Sequence, residues 1–187
     1  MNLEVKEALS LLIAQVYRAK SLLSCFQALM SSDVDAQYPL ERLVFESNRY
    51  NDFFGVISSS LRGQLIAQCY SLLDKREDVN SVYTVYRLIY VESPNIPSDI
   101  IDIWKKIKVI RHKAVAHIDL NNTQKSIYDG ADLRYEELEL LVSFFWKFVS
   151  DVCKSHDSQA MLIDNANDVR VATKNILHDL FRVINEE

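Results

Sequence analysis

The segment Ile110-Arg111-His112-Lys113-Ala114-Val115-Ala116-His117-Ile118-Asp119 sets a permanent cation and a titratable imidazole six positions apart. A guanidinium keeps its charge and can grip two phosphate oxygens through parallel N–H donors. An imidazole gains and loses a proton near neutrality. Cleavage of RNA through its own 2′-hydroxyl needs a base for that proton, an acid for the departing 5′-oxygen, and a cation for the developing phosphorane charge. Arg111 and His117 are the one pair in the chain that supplies these roles, and the route requires no metal.

The element that must position the pair is an amphipathic helix. At about 100° per residue, Ile100, Ile103, Trp104, Ile107, Ile110, Ala114, Val115 and Ile118 form one apolar stripe. Arg111 falls within that stripe and His117 at its edge. Lys105, Lys106, Lys108 and Lys113 lie on the other side. A guanidinium aimed at a core needs a partner or a wet cleft. The spacing therefore leaves two readings open. One is a buried ion pair of Arg111 with an acid such as Asp74, Asp119 or a glutamate, with His117 capping the helix end. The other is a site. On an α-helix the two Cα atoms stand about 9 Å apart along the axis and diverge by about 120°. One pair alone surrounds a phosphate poorly, and two pairs meeting across a two-fold axis do so better.

At 187 residues the chain predicts one domain, residues 1–187, with room for a sizeable core. Three glycines and three prolines are too few for a many-stranded β fold and suit long helices with short connections. The fold class predicted is all-α, a bundle of about five to six helices. A net charge of −5 gives no overall pull toward polyanions. Any such binding must come from the local patch of Lys105, Lys106, Lys108, Arg111 and Lys113, which reads equally as a solvated helix face. Cys25, Cys69 and Cys153 are odd in number and widely separated, so reduced, mostly buried thiols and a cytoplasmic protein are expected. The first apolar run is interrupted by Gln15, Arg18 and Lys20 and predicts neither a membrane span nor a leader.

Helices are predicted over about Leu3 to Met30, Leu40 to Leu73 with a break near Gly55, Val79 to Tyr90, Ser98 to an end between His117 and Leu120, Leu133 to Val152, and Ser158 to Ile184. Pro94 and Pro97 mark the clearest boundary, with Ser98 as the expected N-cap. Leu140, Phe144 and Trp146 lie off the main stripe of the fifth helix, which suits a central or interface position.

Other constellations are weaker. His112 and His117 are too far around a helix to share one ion, and His156 and His178 stand apart, so no metal site is expected. Glu136, Glu137 and Glu139 read as the acidic first turn of a helix. Asp74 to Asp78 reads as a solvated turn. No G-x-S-x-G elbow or glycine-rich phosphate loop is present.

The segment Arg111 to Asp119 resembles the R-x(4–6)-H signature of the HEPN superfamily, and most closely its abortive-infection branch. The long first helix, the segments around Phe53-Phe54 and Leu72-Leu73-Asp74, and the motif helix after Pro97 are similar to that branch. The resemblance implies an all-α bundle that dimerises, with both motifs facing one cleft. It further implies a metal-independent endoribonuclease serving as a toxin or antiviral effector, encoded in many cases with an antitoxin. Arg111 and His117 match the two signature positions. His112 fills the polar position often held by Asn or Asp, as a supporting donor. Asp119 stands where toxins silenced by nucleotidylation carry a tyrosine, so that control is not implied.

The function expected is thus cytoplasmic, dimeric RNA cleavage with no cofactor. His117 would transfer the proton, Arg111 clamp the phosphate, and Lys108 and Lys113 guide the RNA backbone. The alternative is a non-catalytic helical module for a protein or nucleotide partner, with the same motif as a polar lock at a dimer seam.

Overall fold

The computed structural model describes residues 3–30, 51–115, 127, 130–156 and 166–185. The described residues form six α-helices: α1 (Leu3–Met30), α2 (Asn51–Leu72), α3 (Val82–Tyr90), α4 (Ser98–Ile110), α5 (Tyr135–Ser155) and α6 (Ala166–Asn185). A π-helical turn, Arg111–Val115, follows α4 directly. The all-α class read from the sequence holds, with no strand among the described residues.

The chain divides into two compact units. One comprises Met1–Ala19 and Leu65–Leu162, the other Lys20–Gln64 and Ile163–Glu187. The first unit carries the motif helix. Its core is built from Leu9, Leu12, Val16, Leu65, Ile66, Leu72, Leu73, Val82, Ile107, Ile110, Leu141 and Phe145, all essentially inaccessible to water. Most of these repeat at three or four residues along their helices, and burying each is worth about 1.5–3 kcal/mol. In the second unit Leu23, Phe26, Leu29 and Phe54 are buried, and the Cys25 thiol meets the Thr173 hydroxyl at 3.5 Å.

Several element ends differ from the sequence reading. Helix α2 runs without a break through Gly55 and Gly63. Its last turns bury Leu65, Ile66, Cys69 and Leu72 completely, and that packing outweighs a propensity cost of about 1 kcal/mol per glycine. Helix α3 begins three residues later than expected, because the Ser81 side chain accepts the Thr84 N–H at 3.3 Å and caps it there. Val91 ends it in the left-handed region at φ 60°, donating its N–H to the Arg87 carbonyl. Pro97, not Ser98, occupies the N-cap position of α4. Ser98 takes the first helical turn, since the fixed φ of proline is already compatible with helix entry.

The turn after α2 is not simply solvated. Asp74 is buried, accepting the Arg76 backbone N–H and its Nε, each at 3.1 Å. These two bonds satisfy a carboxylate that burial alone would penalise. Helix α5 starts with Glu136 and Glu137 in its first turn, as the acidic run suggested, and Glu137 reaches back to the Arg134 N–H at 2.8 Å. Its inner stripe of Leu138, Leu141, Val142, Phe145, Val149, Val152 and Cys153 is buried, whereas Leu140 is exposed and Phe144 and Trp146 are half-buried.

Candidate functional site

The α4 helix delivers its apolar stripe as the spacing requires. Ile100, Ile103, Ile107 and Ile110 are buried on one side. The helix changes character at Arg111. The Arg111 N–H is shared between the carbonyls of Ile107 and Lys108, and the five residues Arg111–Val115 follow π rather than α geometry. A π turn inserted at a helix end widens the ladder and re-aims the side chains it carries. Over Arg111–Val115 the α-helical spacing expected from the sequence is thus replaced by π spacing. His117 itself lies outside the described residues, as does Asp119.

Arg111 is half-buried. Its Cζ sits 4.9 Å from the centre of the Tyr70 ring. The paired-acid reading is not what the described residues show: Asp74 is engaged by Arg76, and Arg111 forms no ion pair with a described carboxylate. The His112 ring meets Tyr70 edge-on at 5.7 Å and 85°. Tyr70 in turn stacks on Trp104, with centroids 5.6 Å apart and planes within 10°. The Trp104 indole N–H donates to the Tyr70 carbonyl at 3.2 Å, tying α4 to the last turn of α2. Lys108 lies one helical turn beyond Trp104, with its Nζ 5.6 Å from that ring.

The basic run of five residues resolves into two groups. Lys105 is bound to Asp102 at 2.7 Å. Lys106 bridges to Glu137 at 2.7 Å and to the Asp132 carbonyl at 2.8 Å. Burial would raise the Glu137 carboxyl, but the Lys106 ammonium and the Arg134 N–H outweigh it and hold the carboxyl below its usual range. These two lysines serve the structure. Lys108, Arg111 and Lys113 take no described carboxylate, and Lys108, His112 and Lys113 are exposed. Three cations with no described carboxylate and an imidazole thus sit within six residues, against an aromatic pair. Such an arrangement can hold an anion, and it leaves an imidazole beside it.

Sequence reasoning placed Trp104 in the core stripe and did not single out Tyr70. No periodicity signals a ring that approaches Arg111 from another helix. The only available hint was an aromatic residue beside the buried Leu72-Leu73 pair. Among the described residues no group of three His, Cys, Asp or Glu side chains could hold a metal ion, and no described helix is long and apolar enough to cross a membrane.

Residues 95–171 match the family model HEPN_AbiU2, described as AbiU2. The matched span contains α4, the π turn, α5 and both signature positions, Arg111 and His117. No curated protein and no solved structure matches the chain.

Proposed function

We propose, from the match of residues 95–171 to the abortive-infection-associated branch of the HEPN superfamily, that the chain is a metal-independent endoribonuclease that acts as a toxin or antiviral effector. The observation that carries the reading is the state of Arg111. It is a fixed cation at a helix end, held over an aromatic face with no described carboxylate to neutralise it, and flanked by exposed Lys108, His112 and Lys113.

In this reading His117 removes the proton from a 2′-hydroxyl. The alkoxide attacks the adjacent phosphorus, and Arg111 stabilises the charge on the phosphorane oxygens. The P–O5′ bond breaks, the 5′-oxygen takes a proton from an imidazole, and a 2′,3′-cyclic phosphate remains. His112 supports as a hydrogen-bond donor. Lys108 and Lys113 guide the RNA backbone. A second copy across a two-fold axis supplies the second imidazole, so the enzyme is a homodimer, cytoplasmic, with RNA as its substrate and an antitoxin as a further partner.

The test is RNA cleavage in EDTA by the wild type and by Arg111→Ala, with thermal melting measured on both. Lost cleavage in a variant that melts as the wild type does supports the enzyme. The half-buried seat of Arg111 favours one other reading, a polar lock in a non-catalytic module. A collapse of melting temperature or dimer in Arg111→Ala, with no cleavage by the wild type, would select that reading.

A further inference from the structure

We infer that Tyr70 is a positioning residue for Arg111, its ring fixing the guanidinium while leaving the positive charge free for phosphate. The inference rests on the nuclease reading for its kinetic consequence, but its geometry stands apart from it.

Arg111 differs from four carboxylate-bound cations of the same unit, and shares its aromatic support with Lys75 over Tyr83 at 5.1 Å and Lys108 over Trp104 at 5.6 Å. Arg76, Arg87, Lys105 and Lys106 each hold a carboxylate, at 3.1, 3.2, 2.7 and 2.7 Å. Arg111 instead takes an aromatic face at 4.9 Å. Both arrangements restrain a long side chain, but they differ in what remains. A carboxylate occupies the N–H donors and offsets the charge. An aromatic ring holds the cation through its quadrupole and adds no negative ion. The N–H rim stays available for a bidentate phosphate contact.

The ring is itself well anchored. Tyr70 lies between Cys69 and the Leu72-Leu73 pair, all fully buried. It stacks on Trp104, and its carbonyl accepts the Trp104 indole N–H. Arg111 needs such an external support because its backbone stands at the change from α to π geometry, where its N–H is split between two carbonyls. The edge-on contact of His112 places a second motif residue against the same ring. Tyr70 touches no reacting atom. It acts through Arg111, by holding it.

The test uses full-length protein with Tyr70→Phe and Tyr70→Leu. The first readout is the NMR shift of the Arg111 Hε proton, which a ring face moves upfield whether or not RNA is cut. The expected result is an upfield signal in the wild type and in Tyr70→Phe, lost in Tyr70→Leu. The second is affinity for a 2′-O-methyl RNA oligonucleotide, which cannot be cleaved. It should weaken about ten-fold in Tyr70→Leu and stay within about two-fold in Tyr70→Phe. The third is cleavage, with kcat/KM falling about ten-fold or more in Tyr70→Leu and rescued by Phe. A wild type that cuts no RNA would end the nuclease reading yet leave the first two readouts to decide this one. An Arg111 signal at its free position in the wild type, or a Tyr70→Leu protein with unchanged shift and affinity, would overturn the inference. Should the Leu variant fail to fold, the wild-type and Phe spectra decide: an upfield signal in both supports it, and its absence from either refutes it.

Discussion

The indole N–H of Trp104 and the backbone carbonyl of Tyr70 meet at 3.2 Å, joining the middle of α4 to the final turn of α2. This bond sets the floor on which the motif arginine stands, because the same two residues stack their rings at 5.6 Å. Trp104→Phe keeps an aromatic ring and removes the donor. It should cost about 1 kcal/mol, since the half-buried carbonyl keeps only the Leu73 N–H at 3.3 Å, and lower the melting temperature by about 2–4 °C. Differential scanning calorimetry checks this, and an unchanged melting temperature would remove the bond from the account.

The Lys106–Glu137 pair ties α4 to α5. The carboxyl of Glu137 is held below its ordinary range, so folding favours its ionised form. Its contribution is present above the usual carboxylate range and is lost as pH falls through the depressed value. Glu137→Gln should therefore destabilise by about 1 kcal/mol at pH 7. The gap from the wild type should close in strongly acidic solution. Urea unfolding of both proteins across pH 3 to 7, a range set by the ordinary carboxylate value of about 4, follows this difference. A gap that grows toward acid would contradict the assignment.

Burial pushes the Cys69 thiol up to about 12 and raises that of Cys153 as well. At pH 8 a group titrating near 12 is ionised in roughly one molecule in ten thousand. Cys69 and Cys153 should resist Ellman's reagent in the folded protein and react once urea unfolds it. Rapid labelling of all three thiols under native conditions would contradict the packing of α2 and α5.

Two helix positions are poorer than they need to be. A Cβ at Gly63 would meet nothing within 4 Å, so Gly63→Ala should stabilise by about 0.8–1 kcal/mol. Val91 is an 89% exposed β-branched residue at φ 60°. Val91→Gly should gain about 1 kcal/mol by relieving its strain. Melting curves of the two variants should both shift upward, and a downward shift in either would show a contact the structure does not contain.

The helical class, the extent of α1, the boundary at Pro94 and Pro97 and the buried stripe of α4 were legible because each follows from periodicity or from the backbone chemistry of proline. The unbroken path of α2 through Gly55 was not, since the packing that overrides glycine lies in other helices. The π turn was hidden for a similar reason: Lys113, Ala114 and Val115 are compatible with either ladder. Arg111 was marked by its position on an apolar stripe. Its true partner, Tyr70, was not, because a cation over a ring leaves no spacing signature across two distant helices. Likewise the separation of Lys105 and Lys106 from Lys108 and Lys113 required knowing where Asp102 and Glu137 fall.

In the proposed mechanism Arg111 and His117 cut RNA through the 2′-hydroxyl. The most direct measurement is end-group mapping of RNA incubated in EDTA with the wild type and with His117→Ala. The expected products are 2′,3′-cyclic phosphate and 5′-hydroxyl ends with the wild type and intact RNA with the variant. Cleavage that persists in His117→Ala, or that appears only when a divalent metal is added, would contradict that mechanism.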